Sequence, residues 1–303
     1  MKRLSYFIAI FTIFIVNNTF AQDNLAPNTK DEGLKGKVKK VKLKSYEAKE
    51  QSGTFVKSNL KVDEQCWEYN IKSKLIVYSI YNADSKLSLI ETYTYNSGCM
   101  TEHKKIIRNI TEEYSTCKCD DKGNVIENTE KVHLPGIATY KYNDKGKTIE
   151  EFFNFPSDGS WGKYTYTYNE SGNLIKVYQI NQYNEESSYT YKYDAKGNKI
   201  ESNSKYSNNS MKYDVKGNRV EETSYKNGKI DYKLIYKYDQ QGNVIESLRY
   251  NSEGCSNEKS IYIYVYDNFK NWIKKTSYTE NNSFGIKENV YPRIEEREIE
   301  YFQ

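Results

Sequence analysis

One motif recurs along the chain and constrains its fold more than any other feature. It is clearest as YKYDAKGNKIES at Tyr191–Ser202 and YKYDQQGNVIES at Tyr236–Ser247, with a degenerate copy, CKCDDKGNVIE, at Cys117–Glu127. The residue before the Asp or Asn of the motif marks each copy: Tyr69, Tyr95, Cys119, Tyr142, Tyr168, Tyr193, Tyr213, Tyr238 and Tyr266. Successive copies lie 20 to 28 residues apart, a period typical of stacked supersecondary units. The pattern therefore predicts a repeat protein.

Each copy predicts two antiparallel strands joined by a tight turn. Tyr191 and Tyr193 alternate with Lys192, which places both rings on one face of a strand. Asp194 suits the start of a turn because its side chain accepts a backbone hydrogen bond from two residues on. Gly197 suits the left-handed position that closes a hairpin loop with a bulge.

A second, looser turn of variable length follows the second strand of each copy. Asn227-Gly228 is a strong signal for a two-residue hairpin at one of these turns. The register implied by the first turn pairs Tyr193 with Lys199 and Lys192 with Ile200. One face is then expected to carry the tyrosines, and the other a column of Ile126, Ile149, Ile175, Ile200, Val220, Ile245 and Ile273.

These units predict an all-β fold, in which tandem two-stranded repeats of about 25 residues form a long antiparallel meander. A mean hydropathy of −0.90 and a hydrophobic content of 37% are too polar for a thick two-layer core. The 31 tyrosines suit half-buried strand positions. We therefore expect an open or curled single sheet.

The N-terminal segment predicts export. Residues 1–21 combine a basic start, a mostly apolar run and Thr19-Phe20-Ala21, which is typical of a secretory signal peptide and too short for a membrane span. Residues 22–36 are polar and predict a flexible lead-in, whereas residues 37–303 show no break in composition and predict a single β-repeat domain. The mature chain is expected in the periplasm, at the cell surface or outside the cell.

The unit Tyr-x-Tyr-Asp-x-x-Gly-Asn-x-Ile-Glu resembles the YD repeat of the RHS family over roughly Tyr69–Lys274. Members of that family build long antiparallel β ribbons, and large toxins of the family coil them into a shell around a cargo. The resemblance rests on Tyr, Asp and Gly at fixed offsets. It implies a type of repeat and says little about function.

The cysteines of the chain are Cys66, Cys99, Cys117, Cys119 and Cys255. Cys117 and Cys119 replace the two tyrosines of their copy, and Cys99 lies near the start of the preceding strand. His103 lies four residues after Cys99 and is therefore expected on the same face of that strand. Three thiols and one imidazole so placed are compatible with a zinc site. Export favours a disulfide from Cys99 to Cys117 or Cys119 instead, with unpaired thiols as a further alternative. Cys66 and Cys255 have no evident partner.

No catalytic, cofactor-binding or metal-ligating residue is otherwise predicted, and the chain is not expected to be an enzyme. His103 and His133 are the only histidines, and no nucleophile or metalloprotease motif occurs. The repeated Asp and Asn residues are explained by the turns, since calcium needs about six to eight converging oxygens. Without Lys2 and Arg3, 43 basic and 41 acidic side chains remain, which gives no reason to expect nucleic acid or an anionic membrane as partner.

The sequence thus favours an exported, non-enzymatic scaffold, with a structural or protein-interaction role in the cell envelope or outside the cell. The alternative is a glycan-binding or cell-wall-binding module that uses tyrosine-lined faces, because stacked aromatic rings suit sugars. Either function implies a protein or glycan partner, no cofactor, and no membrane insertion of the mature chain.

Overall fold

The computed structural model of the chain describes residue 29 and residues 33–132, 135–283 and 286–303. The strands of this part are β1 (Val38–Gln51), β2 (Thr54–Tyr69), β3 (Leu75–Tyr81), β4 (Leu87–Asn96), β5 (Cys99–Ile107), β6 (Ile110–Cys119), β7 (Val125–Glu130), β8 (Gly136–Tyr142), β9 (Thr148–Phe155), β10 (Ser160–Tyr168), β11 (Leu174–Asn181), β12 (Glu186–Tyr193), β13 (Lys199–Asn203), β14 (Asn208–Tyr213), β15 (Arg219–Lys226), β16 (Lys229–Tyr238), β17 (Val244–Asn251), β18 (Ser256–Tyr266), β19 (Trp272–Ser283) and β20 (Ile286–Tyr301). Within these ranges no helix has the length and apolar character of a membrane span. The predicted signal peptide, residues 1–21, and His133 lie outside the described residues.

The sheet is closed. Each strand pairs antiparallel with its neighbours in the chain, and the first strand also pairs with the last. Leu43 of β1 lies opposite Gln65 of β2 on one side and opposite Arg297 of β20 on the other. β20 in turn pairs with β19 through Lys275 and Glu295. Over the described residues, the result is a 20-stranded antiparallel β-barrel.

The expectation of an open or curled single sheet is therefore wrong. An open ribbon would leave a row of unpaired backbone donors and acceptors along each terminal strand, and such edges favour pairing. Here the two terminal strands are long, with 14 residues in β1 and 16 in β20. Pairing β1 with β20 satisfies the backbone hydrogen-bonding groups of both edges. A periodic sequence pattern does not reveal that the two terminal strands pair.

The repeated turn has the predicted geometry. The backbone N–H groups of Lys196 and Asn198 both donate to Asp194 Oδ1, at 2.9 and 2.8 Å, and Gly197 has a φ of 86°. Copies without glycine place Ser73 or Lys270 at the same left-handed position. We call the barrel end that carries these turns the first rim, and the end that carries the loops 181–185 and 204–207 the second rim.

The two-residue hairpin predicted at Asn227-Gly228 is confirmed. Lys226 and Lys229 pair directly across it, and both central residues have positive φ, 51° and 75°. This is the backbone that the Asn-Gly pair favours. The loop lies on the second rim.

One part of the predicted register is wrong. Tyr193 pairs with Lys199 as expected, but Lys192 pairs with Glu201, and Ile200 is skipped. A bulge follows the turn, so the returning strand contains one extra residue at this point. The same skip occurs in the other copies, which places the whole Ile and Val column at bulges rather than in cross-strand pairs.

The two faces of the wall consequently differ in chemistry. The tyrosine face, which carries Tyr140, Tyr164 and Tyr166, holds most of a buried cluster with Phe153 and Val177. A second cluster, around Val38, Val41, Tyr69, Leu75, Tyr93 and Met100, packs where the barrel closes. The opposite face, here called the charged face, carries the repeated pairs Lys118–Glu127, Lys141–Glu150, Lys192–Glu201, Lys212–Glu221 and Lys237–Glu246.

The described part of the predicted lead-in lies against the first rim. The Thr29 N–H donates to the Ser73 carbonyl at 3.2 Å, and the Lys35 N–H donates to Asn271 Oδ1 at 2.7 Å. Leu34 is buried in the cluster at the barrel closure. These contacts connect the residues before β1 to turns that lie far away in sequence.

Candidate functional site in the tyrosine face

Tyrosine hydroxyl groups link each repeat to the one before it. The Tyr168 hydroxyl donates to the Thr148 carbonyl at 2.7 Å, and the Tyr193 hydroxyl donates to the Leu174 carbonyl at 2.8 Å. Equivalent bonds run from Tyr95, Tyr142, Tyr213 and Tyr238 to Leu75, Val125, Lys199 and Arg219. The acceptor is in each case a carbonyl at the start of the strand that follows the preceding turn. The regular spacing of these tyrosines therefore has a structural role in the wall.

A disulfide replaces this link in one repeat. Cys119 occupies the tyrosine position and is bonded to Cys99, with a Cα–Cα distance of 6.5 Å. The predicted disulfide is thus confirmed, with Cys119 rather than Cys117 as the partner of Cys99. Cys117 is a free, partly buried thiol, and burial raises its pKa to about 11. It is protonated at neutral pH and is a poor nucleophile.

The alternative zinc site is not assembled. The disulfide uses two of the three thiols, and the His103 ring stacks on Tyr93 with a centroid distance of 4.9 Å. In the described part of the chain, no group of three or more His, Cys, Asp or Glu side chains is placed to hold a metal ion. Cys66 is a free, buried thiol and Cys255 a free, exposed one.

Glu91 lies beside His103 on the tyrosine face and forms a charged cluster there. The Tyr93 hydroxyl donates to Glu91 Oε2 at 2.6 Å, and His103 Nε2 and Lys105 Nζ lie 3.7 and 3.9 Å from the carboxylate. Burial opposes ionisation of Glu91, but the hydrogen bond from Tyr93 and the nearby His103 and Lys105 side chains outweigh it and lower the pKa of this carboxyl group. Glu91 is therefore ionised at neutral pH.

Glu151 has the opposite environment. It is 1% exposed and lies on β9 between its cross-strand partners Tyr140 and Tyr164. The Tyr166 hydroxyl donates to Glu151 Oε2 at 2.8 Å. Burial raises the pKa of Glu151 to about 7, although hydrogen bonds from Tyr166 and Tyr140 act in the other direction.

This arrangement makes Glu151 a group that binds a proton close to neutral pH. The phenol groups of Tyr166 and Tyr140 hydrogen-bond to the carboxyl group, the Tyr164 ring packs on the same face, and the carboxyl group has little contact with solvent. A strongly shifted carboxyl group is often a mark of a functional site. Here the side chain is closed off from any substrate, so its titration acts on the stability of the wall.

The repeat pattern did not reveal Glu151 or the ion pairs on the charged face. The signal was present in the strand TIEEFFNF, Thr148–Phe155. Strand alternation puts Glu150 and Glu151 on opposite faces, but which of them is buried depends on the bulge at Ile149. With the bulge in place, Glu150 joins Lys141 on the charged face, and Glu151 joins the tyrosines.

No protein-family profile and no curated protein matches this sequence. Among solved structures, the chain is similar to a porin-like protein from Bacteroides uniformis, with a TM-score of 0.40, 13% identity, and coverage of 90% of this chain and 98% of that one. It is also similar to part of TcdB2-TccC3-Cdc42, with a TM-score of 0.43, 14% identity, and coverage of 81% of this chain and 15% of that one. A porin-like protein from Bacteroides vulgatus gives a TM-score of 0.22 at 13% identity, over 88% of this chain and 98% of that one. Similarities of this size say nothing about the activity of this chain.

Proposed function

We propose that this chain is an exported, non-enzymatic scaffold of YD/RHS-like repeats, with a structural or protein-interaction role in the cell envelope or outside the cell. The observation that carries the proposal is the closed barrel, whose repeats are linked by tyrosine hydroxyls and by the Cys99–Cys119 disulfide. A closed sheet has no free edge strand, and the disulfide suits an oxidising compartment. These features favour a rigid body that presents a surface.

The composition of the wall argues against insertion into a membrane. A lipid-facing barrel needs an apolar band about 25 Å tall, and strands of about 9 to 11 residues. In this barrel β7, β13 and β14 have 6, 5 and 6 residues. Both faces carry ion pairs, for example Lys163–Glu150 on the charged face and Arg219–Glu222 on the tyrosine face.

The placement of the acidic groups supports a non-enzymatic role. Hydrolysis of a glycosidic bond needs two carboxyl groups that flank the scissile bond. The carboxyl group with the raised pKa, Glu151, is buried, and Glu91 is held by Tyr93 and His103. Glu151 is therefore closed to a substrate, and the Glu91 carboxylate is engaged by its neighbours on the wall.

Fractionation of cells that express the complete chain tests the proposal. We expect the protein in the soluble extracytoplasmic fraction, with Cys99 and Cys119 joined in non-reduced peptides, and without channel activity in planar bilayers. Cross-linking in intact cells should then capture a defined protein partner. Retention in carbonate-washed membranes with single-channel conductance would refute the soluble scaffold, and a chain that cross-links to no protein would refute the interaction role.

A further inference from the structure

The barrel wall has a notch on the second rim, where one repeat is shorter than the others. The step from Tyr193 to Tyr213 is 20 residues, whereas the other steps are 23 to 28. β13 consequently has only 5 residues. β11 pairs with β12 as far as Glu186, but β13 pairs with β12 only from Thr190 onward. Residues 186–189 therefore lack a strand partner on one side.

A polar cavity of about 400 Å³ occupies this notch. Tyr178 and Thr190 line it from the charged face, and Glu186, Asn203 and Lys205 add a carboxylate, an amide and an ammonium group. Elsewhere on this face Lys–Glu pairs lie between the strands, whereas here the small side chain of Ser188 lies opposite Tyr178 and leaves space open. The cavity thus offers hydrogen-bond donors and acceptors of several kinds around one aromatic ring.

Two exposed tyrosines lie on the loops that border the notch. Tyr183, on the loop 181–185, is 66% exposed, and Tyr206, on the loop 204–207, is 75% exposed. Lys205, which lines the cavity, has its Nζ 5.6 Å from the centroid of the Tyr206 ring. Exposed aromatic rings beside a polar cavity are typical of ligand sites, because the ring offers an apolar face and the phenol a polar edge.

We propose that this notch binds a neutral oligosaccharide. A sugar ring has an apolar face of C–H groups, which suits Tyr178, Tyr183 or Tyr206, and an edge of hydroxyl groups, which suits Asn203 and the serines. The lining carries one carboxylate, Glu186, and one ammonium group, Lys205, and the Lys176 ammonium group lies 5.9 Å from the centroid of the Tyr178 ring. The net charge at the site is therefore small, which favours neither a polyanion nor a polycation. The unpaired stretch of β12 has only four residues, which is short for an added peptide strand.

Ligand-observed saturation-transfer NMR on the full chain tests this proposal with cellotetraose, mannotetraose and chitotetraose as probes. We expect at least one tetrasaccharide to bind with a Kd of about 1 mM or tighter. Tyr206→Ala, a change on an exposed loop, should weaken binding about tenfold or more, and Tyr178→Ala should weaken it at least as much. Tyr291→Ala is the matched control, because Tyr291 is 88% exposed on β20, away from the notch.

Thermal melts of the variants separate a binding defect from a folding defect. Tyr206→Ala should melt as the wild type does, so a loss of binding in this variant reports on the site itself. The proposal is overturned if none of the three tetrasaccharides binds the wild type, or if Tyr206→Ala and Tyr291→Ala bind with the same affinity. A failure here leaves the scaffold role intact, because the notch is separate from the links that close the barrel.

Discussion

Replacing Glu151 by glutamine is expected to change how the stability of the barrel depends on pH. The folded-state pKa of Glu151 is raised to about 7 from an ordinary value of 4.5, so the folded state binds the proton more tightly than the unfolded state does. The contribution of Glu151 to the unfolding free energy is therefore fully present below pH 4.5 and is lost as the pH rises through 7. The shift corresponds to about 3 kcal/mol of unfolding free energy.

Glutamine resembles the protonated carboxyl group in shape and stays neutral. We expect the unfolding free energy of Glu151→Gln, relative to the wild type, to increase by about 3 kcal/mol between pH 4.5 and pH 8. A lost hydrogen bond to Tyr140 or Tyr166 would lower the unfolding free energy of the variant by about 1 kcal/mol at every pH. It would not change how the difference from the wild type depends on pH. Urea denaturation at a series of pH values measures the difference directly.

Glu150→Gln is the matched control in the same strand. Hydrogen bonds from Lys141 and Lys163 lower the pKa of Glu150, so its contribution is present at neutral pH and is lost as the pH falls. The unfolding free energy of Glu150→Gln, relative to the wild type, should therefore decrease slightly as the pH rises. The corresponding difference for Glu151→Gln should increase over the same range. A flat pH profile for Glu151→Gln, or the same slope for both variants, would refute the burial of a neutral Glu151.

Three further changes test the turn, the disulfide and the links between repeats. Gly197→Val should lower the melting temperature more than Lys196→Val, because a β-branched residue at φ 86° is strained by about 1 kcal/mol or more; equal melting temperatures would contradict the turn. Cys119→Ser should cost about 3 kcal/mol in unfolding free energy under oxidising conditions, and Cys117→Ser much less, as denaturant midpoints with and without reductant will show. Tyr193→Phe should cost about 1 kcal/mol through the lost bond to a backbone carbonyl, and a melting curve unchanged from the wild type would argue against that link.

Features that depend only on neighbouring residues could be predicted from the amino-acid sequence. Asp194 and Gly197 lie within one five-residue turn, and their hydrogen bond and φ follow from side-chain chemistry at those positions. The Asn227-Gly228 hairpin is local in the same sense. The repeat period, the partition into strands and the expectation of a disulfide at Cys99 also rest on short-range spacing or on the export signal.

Features that join residues distant in sequence depend on the tertiary structure. Leu43 and Arg297 pair because the barrel closes. No single repeat encodes the number of strands after which the first and last strands of the barrel pair. The bulge determined which of Glu150 and Glu151 is buried, and the register between β5 and β6, which pairs Glu102 with Thr116, brings Cys119 rather than Cys117 opposite Cys99. In each case the deciding contact lies between strands, where burial and backbone pairing outweigh the preferences of the local sequence.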